Sequence, residues 1–394
     1  MKTDYKKEAE QLRDEIVANR RTIHHFAETA FDLPQTLAFV EAALRKMGIT
    51  PERCGKAGIT ALIGTPGKKT ILLRADMDAL PMEEKTGLPF AAENGHCHSC
   101  GHDCHTAMLL GAAKLLKAHE AELQGQVKLM FQPAEEKLAG AKDMIEAGVL
   151  EHPKVDAAMG LHVLVGAEQL SEPGTISYKP GCASFSGDAI RITVKGKDAH
   201  GSTPYLGVDA INIAAHIVIA LQEILAREIP CEANDVVLVG MIHGGSSCNT
   251  NAGDCTLEVS VRSDTREGRS FLKQRVKEIS EATAATFRGT AAVEYVYGMP
   301  SLFNDEEISR KLSGYCKEVA GEAAVQVNDK LSGSEDFTMV ADKVPSAFFH
   351  LGAGSPAGGH SCGMHNPGMI VDESVLPLGA ALYAHCATRF LEEA

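Results

Sequence analysis

Apolar side chains recur at roughly helical spacing at Leu12, Ile16, Ile23 and Phe26, which predicts a packing helix over 5–28, and a second helix from Gln35 to Met47 stops at Gly48. The period then shortens. ITALIG at 59–64 and TILLRADMDAL from Thr70 read as buried strands, and the second runs into Asp76 and Asp78, two residues apart and so on one face. A helix over 106–119, a strand over 126–131, a helix over 139–147 and a strand over 155–163 follow. Strands alternating with helices predict a largely parallel sheet covered by helices on both faces.

After Gly181 the order changes to strand 186–195, helix 208–227, strands 235–243 and 254–262, helix 268–287 and strand 291–297, the βαββαβ succession of a ferredoxin-like unit. Past Gly298-Met299-Pro300 the first pattern resumes with a helix at 305–320, a strand at 346–354 and a helix at 373–391. The expected fold class is therefore α/β in two domains. A mostly parallel sheet flanked by helices is discontinuous over 1–183 and 299–394, and a ferredoxin-like domain is inserted over 184–298.

Composition narrows the class of protein. A chain of 394 residues, 44% of them hydrophobic, supplies enough apolar surface for two cores. The formal charge of −14 disfavours nucleic acid or an anionic membrane as partner. The N-terminus MKTDYKKEAEQLRDEI has no apolar segment, and no uncharged apolar run is long enough to cross a bilayer, so a cytoplasmic location is expected. Eleven dispersed cysteines, an odd count, read as reduced thiols rather than a disulfide scaffold.

The exception is the stretch HCHSCGHDCH at 96–105, where seven of ten residues are Cys or His. Cys100 and His102 are candidate metal ligands, with His98, Asp103 and His105 as further ligands or supports. In open α/β sheets ligands bind beyond the carboxyl ends of the strands. Asp76 and Asp78, Glu135 and Glu136, and His162 follow apolar runs in that way, and His365 sits in the late loop GMHNPG. Five ligands of sulfur, imidazole and carboxylate type exceed what one tetrahedral ion with an open position requires, and two metals sharing a ligand fit better. Of two adjacent glutamates, one can bind metal while the other takes a proton from water, the division of labour of a hydrolase. Each motif also has a plainer meaning: CHSC at 97–100 as a redox pair, the Asp pair as a turn, the Glu pair as a solvated helix start. His24 and His25 on the first helix are expected to be exposed or simply hydrogen-bonded.

LRADMDALPMEE (73–84), HSCGHDCH (98–105), FQPAEE (131–136), GLHV (160–163), GKDAHGSTPYLGVDAI (196–211), GSEDF (333–337), FFHLGAG (348–354) and MHNPG (364–368) together resemble the aminoacylase/carboxypeptidase metallohydrolases. The likeness is to the amidohydrolase branch of hippurate hydrolases, N-acyl amino acid deacylases, auxin-conjugate hydrolases and N-acetyldiaminopimelate deacetylases. It implies that Cys100, His102, Glu136, His162 and His365 hold two divalent metal ions (zinc, manganese, nickel or cobalt), with Cys100 as the bridge. It further implies that Glu135 is the general acid/base, that Asp78 orients a ligand from behind, and that His200 stabilises the oxyanion from the inserted domain, in dimeric relatives from the partner subunit. Asn249 stands where relatives hold substrate, although the continuation Thr250-Asn251-Ala252 departs from their apolar pair and proline. Ser99, Cys97 and Cys104 also depart from the family's pattern. Arg262, ending a strand of the inserted domain, is a candidate partner for a substrate carboxylate.

The expected function is metal-dependent cleavage of the amide bond of a small N-acyl amino acid (acetyl, benzoyl or similar) by a water activated at the metals. The inserted domain serves as lid or dimerisation module, so a second copy of the chain is an expected partner, while nucleic acid and membrane are not. Two alternatives stand beside this reading: a dipeptidase or carboxypeptidase with the same metal core, and a non-catalytic metal-binding or redox protein.

Overall fold

In the computed structural model, which describes residues 3–67, 69–329 and 334–393, the first helical stretch breaks at Leu12 into α1 (Tyr5–Gln11) and α2 (Arg13–Phe26). Ala27, left-handed at φ 37°, ends α2, and α3 (Pro34–Lys46) starts on a proline that needs no N–H there. A hairpin of β1 (Pro51–Cys54) and β2 (Gly58–Gly64) leads to β3 (Thr70–Asp76), buried at every position. Then come α4 (His102–Ala118), β4 (Gln126–Gln132), α5 (Gly140–Glu146), β5 (Ala157–Leu164), β6 (Ile176–Tyr178) and β7 (Gly181–Cys182). Helix α4 begins at His102, earlier than the expected 106, because its first turn is polar and apolar periodicity does not mark it.

The chain forms two compact units, one of Met1–Ala183, Phe303–Asp329 and Glu335–Ala394, the other built mainly of Ser184–Leu302. The second contains β8 (Gly187–Lys195), β9 (Ala199–His200), α6 (Ala210–Glu223), β10 (Val236–Gly244), β11 (Thr250–Asn251), β12 (Asp254–Arg262), α7 (Arg266–Thr286) and β13 (Thr290–Met299). The chain returns to the first unit with β14 (Phe303–Asn304), α8 (Glu306–Ala320), β15 (Val325–Val327), α9 (Thr338–Ala341), β16 (Ser346–Gly352) and α10 (Leu376–Glu392).

The first unit holds an eight-stranded sheet ordered β1-β2-β4-β3-β5-β16-β6-β15. Its centre is parallel, β4 with β3, β3 with β5 and β5 with β16, while β1, β2 and the β16–β6 pair are antiparallel. Helices α4 and α10 pack together against this centre, and their apolar faces share one core with β3 and β5. The parallel register carries the carboxyl ends of β3, β4 and β5 to the same side, which is what gathers the polar residues that follow them. Tyr383 of α10 ties two of these strands: its hydroxyl donates to the Arg74 carbonyl at 2.6 Å and accepts from the Leu161 N–H at 3.1 Å.

The second unit's sheet is ordered β10-β12-β8-β13 with every neighbour antiparallel, the strand order of a ferredoxin-like fold. Ile190, Ile192 and Val194 of β8 alternate inward and meet Ile213, Ile217 and Leu221 of α6 and Leu272 and Val276 of α7. The stretch Ala210–Glu228, at a mean hydropathy of 1.4, is long and apolar enough by composition to cross a membrane. Glu223, Arg227 and Glu228 interrupt it, and its buried stripe instead lines this core.

Tyr383→Phe removes a hydroxyl that two buried backbone groups use. The expected outcome is a loss of about 1–3 kcal/mol with the same fold, measured by denaturant titration.

Candidate active site

The site begins at the turn into α4. Gly101, at φ +85°, lies where a Cβ would come 2.3 Å from Cγ2 of Val163, so only glycine lets the chain pass between Cys100 and His102. His102 Nδ1 lies 2.8 Å from the carbonyl oxygen of Asp78. A carbonyl only accepts, so Nδ1 carries the hydrogen and Nε2 keeps its lone pair. That Nε2 is buried and has no hydrogen-bond partner. His162 is set the same way, with Nδ1 2.6 Å from the Val163 carbonyl and Nε2 3.6 Å from Cys100 Sγ. His365, itself left-handed at φ 60° and held by its N–H to the Ser99 carbonyl at 2.7 Å, places Nε2 3.3 Å from Cys100 Sγ and 3.4 Å from Glu136 Oε1.

Ligand atoms of Cys100, His102 and His162 lie within 4.8 Å of one another, as do those of Cys100, Glu136 and His365, and those of His102, Glu135 and Glu136. Cys100 belongs to two of these groups. Burial pushes its thiol pKa up, against the pull of His102. A thiol, oriented imidazole lone pairs and a buried Glu136 Oε1 faced by His365 are donors that fit divalent transition-metal cations.

Asp78 governs the neighbouring turn. Ala134 and Leu138, both left-handed, bracket the single turn Glu135–Lys137, and the Asp78 carboxylate accepts from the N–H groups of Glu135 at 3.0 Å and Glu136 at 3.2 Å. The two side chains then face different surroundings. Burial, with Glu335 and Asp336 beside it, raises the Glu135 carboxyl well above the ordinary range. Burial also presses Glu136 upward, but His365 and His102 outweigh it and hold this carboxyl below its ordinary value. Adjacent carboxyls driven apart in this way suit one proton carrier and one permanent anion.

Sequence reasoning assigned no role to Arg74, Glu335 or Asp336, although all three fall in recognised stretches; Gly333 of the last stretch lies outside the described residues. The fully buried Arg74 guanidinium donates to Asp76 at 2.7 Å, Glu335 at 2.8 Å, Asp336 at 3.0 Å and Gln132 at 2.9 Å. An arginine inside the apolar strand TILLRAD was the available signal.

Asp76 meets His105 Nδ1 at 2.5 Å, and His105 Nε2 accepts the Val163 N–H at 2.8 Å. Both nitrogens of His105 are thus committed, which favours the support over the ligand of the two roles expected of it, although Asp76, His102 and His105 also bring ligand atoms within 4.8 Å of one another. Asp103 is likewise turned away, bonded to Arg20 at 2.6 Å and His24 Nδ1 at 2.8 Å, while His24 Nε2 faces Glu84 at 3.1 Å. His24 is buried and paired rather than exposed, and it braces the start of α4 against α2. His98 is buried with neither ring nitrogen partnered, and it joins none of the four ligand groups that contain His102 or Cys100.

In the second unit His200 and Asn249 come together: Thr250 of β11 pairs with His200 of β9, and the Gly201 N–H donates to the Asn249 carbonyl at 2.7 Å. His200 is exposed, with Nδ1 2.8 Å from Ser202 Oγ. Arg262 is not part of this corner. It ends β12 opposite Val236, about 26 Å along the strand from Asp254, which faces the β8 end nearest β9.

A model of peptidase family M20/M25/M40 matches residues 72–389. The chain is 35% identical over 390 residues to the N-acetyl-L-cysteine deacetylase of Bacillus subtilis, covering 97% of this chain and 89% of that one. It is also 35% identical over 395 residues to thermostable carboxypeptidase 1 of Saccharolobus solfataricus, covering 98% of each. Among solved structures, a dinuclear metal binding peptidase from Bacillus subtilis superposes with a TM-score of 0.82 at 30% identity over 98% of this chain and 99% of that one.

Two outcomes follow from the geometry. Gly101→Ala is expected to displace the start of α4 and lower bound metal at least tenfold, as read by elemental analysis of the purified protein. Burial alone would raise the Glu84 carboxyl, but hydrogen bonds from His24 and Thr86 bring it from 4.5 down to about 2. A depressed carboxyl contributes stability that is complete above its unfolded value and lost as pH falls through its folded one. Glu84→Gln should therefore flatten the acid limb of stability between pH 4.5 and about 2, measured as denaturation midpoints against pH.

Proposed function

The chain belongs to peptidase family M20/M25/M40 and is a metal-dependent hydrolase of amide bonds, and on that footing we propose that it releases amino acids from their N-acyl derivatives. Cys100, His102, Glu136, His162 and His365 would hold two divalent cations in this reading, and zinc, manganese, nickel and cobalt all suit the donors. The observation that carries the reading is that Glu135 and Glu136 share one turn clamped by Asp78, with their carboxylates within 4.8 Å of the His102 ring nitrogen and Glu136 also grouped with Cys100 and His365.

When bound, the cations supply Lewis acidity, lowering the pKa of a water towards about 7 and polarising the scissile carbonyl. Glu135 takes the proton from the attacking water and returns it to the departing amine, which cannot leave as an anion. Asp78 keeps Glu135 and Glu136 in register for these separate tasks, and its carbonyl fixes the tautomer of His102. His200, with Asn249 just before the adjoining strand, donates to the developing oxyanion from the inserted domain of the same chain or of a second copy. Arg262 is assigned to a substrate carboxylate on charge alone.

The acyl amino acid reading is favoured by the relative named for N-acetyl-L-cysteine; the relative named a carboxypeptidase keeps short peptides as the second reading. A second copy is proposed to add at β10, an edge strand on which Leu238, Met241 and Ile242 are exposed.

Glu135→Gln is expected to keep its metal while kcat falls by about 10²–10⁴, and Glu136→Ala to lose metal as well. Metal analysis beside steady-state kinetics checks both, and undiminished turnover by Glu135→Gln would refute the proton-carrier role. Rates on N-acetyl, N-benzoyl and free dipeptide substrates separate the two substrate readings.

A further inference from the structure

A row of polar side chains crosses three neighbouring strands of the first unit, and most of it has no part in the chemistry above. His162 of β5 pairs in register with His350 of β16, and His350 pairs in register with Ser177 of β6. Residues paired across strands share a face. The His350 ring stands 6.2 Å from the ring of His162 and 5.4 Å, edge-on, from Phe348, which packs in turn on Phe337 at 5.5 Å.

His350 is the one position of β16 that is not fully buried, yet its Nδ1 is shielded and has no hydrogen-bond partner. The hydroxyl of Ser177 beside it is buried and equally without one. Buried polar groups are nearly always paired, so two adjacent exceptions on one face of a sheet call for a partner from outside the chain. An apolar group arriving there would leave both atoms unpaired. A carboxylate would be drawn to the cations held beside His162 rather than to a neutral imidazole and a hydroxyl, since the register row His162, His350, Ser177 contains no Lys or Arg. A hydroxyl, both donor and acceptor, matches an imidazole beside a serine.

We infer that His350, backed by Ser177, is a specificity-determining residue that hydrogen-bonds a hydroxyl on the substrate near the scissile amide. This rests on the reading of His162 as a metal ligand. The hydroxyl belongs either to the acyl group or to the amino acid side chain, and two substrate pairs distinguish these sources. N-glycoloyl-alanine against N-acetyl-alanine places it on the acyl side, and N-acetyl-serine against N-acetyl-alanine on the amino acid side.

The experiment is kcat/KM for these compounds with metal-loaded wild type, His350→Phe, which keeps a planar ring against Phe348, and Ser177→Ala, with metal content measured throughout. Wild type is expected to favour the hydroxylated member of one pair by about tenfold, His350→Phe to erase that preference, and Ser177→Ala to reduce it. If His350→Phe does not fold or load metal, the ratio in Ser177→Ala decides. Wild type that hydrolyses the compounds with no preference, or a preference unmoved by the substitutions, overturns the role of His350 alone. Wild type that hydrolyses none of them overturns the acyl amino acid reading together with it.

Discussion

Asp78 is an acidic side chain buried just past the end of a fully buried strand, and such a polar group persists there only where donors surround it. Its donors are the main-chain N–H groups of Glu135 and Glu136, from a turn more than fifty residues along the chain, and its own carbonyl accepts from His102 at the start of α4. One side chain therefore sets the position of a glutamate pair and the orientation of an imidazole. The parallel pairing of β3 with β4 makes this possible, because it ends both strands at the same level. Anything that moves β3 along its neighbours would move the candidate ligands and the candidate proton carrier apart.

Behind this lies a second layer of buried charge. Arg74 is enclosed by Asp76, Glu335 and Asp336, a set in which one cation answers three carboxylates. Paired charges of this kind do not by themselves stabilise a fold, since desolvation consumes most of the attraction. Their consequence here is electrostatic. Glu135 shares its surroundings with Glu335 and Asp336 and is driven towards its neutral form, whereas Glu136, turned to His365 and His102, remains an anion. Two chemically identical neighbours acquire different work from what each one faces.

The supports around the centre differ in kind. Asp76 and the Val163 N–H occupy both nitrogens of His105, so that ring is a strut, and the Arg20, His24 and Asp103 contacts fasten α2 to the first turn of α4. The ferredoxin-like unit carries His200 and Asn249 on a small two-stranded corner, which keeps these two polar residues together independently of the larger sheet.

Periodicity in the amino-acid sequence was enough to determine the long elements, the switch from a mostly parallel α/β pattern to βαββαβ order, and the collection of Cys, His and carboxylate residues just past strand ends. These are local properties, written within one helix or strand at a time. The strands β1, β6 and β15 are too short to show a period, and the polar first turn of α4 hides its true start at His102. Which buried polar group meets which is not local at all: Arg74 and Glu335 are 261 residues apart, and His365 and Cys100 are 265 apart. Only the tertiary structure decided that both His105 nitrogens are held by protein groups, that His24 is buried, that Arg262 lies away from His200, and what surrounds Glu135 and Glu136. Each of those outcomes depends on what a side chain is buried against, and burial is a property of the packed chain.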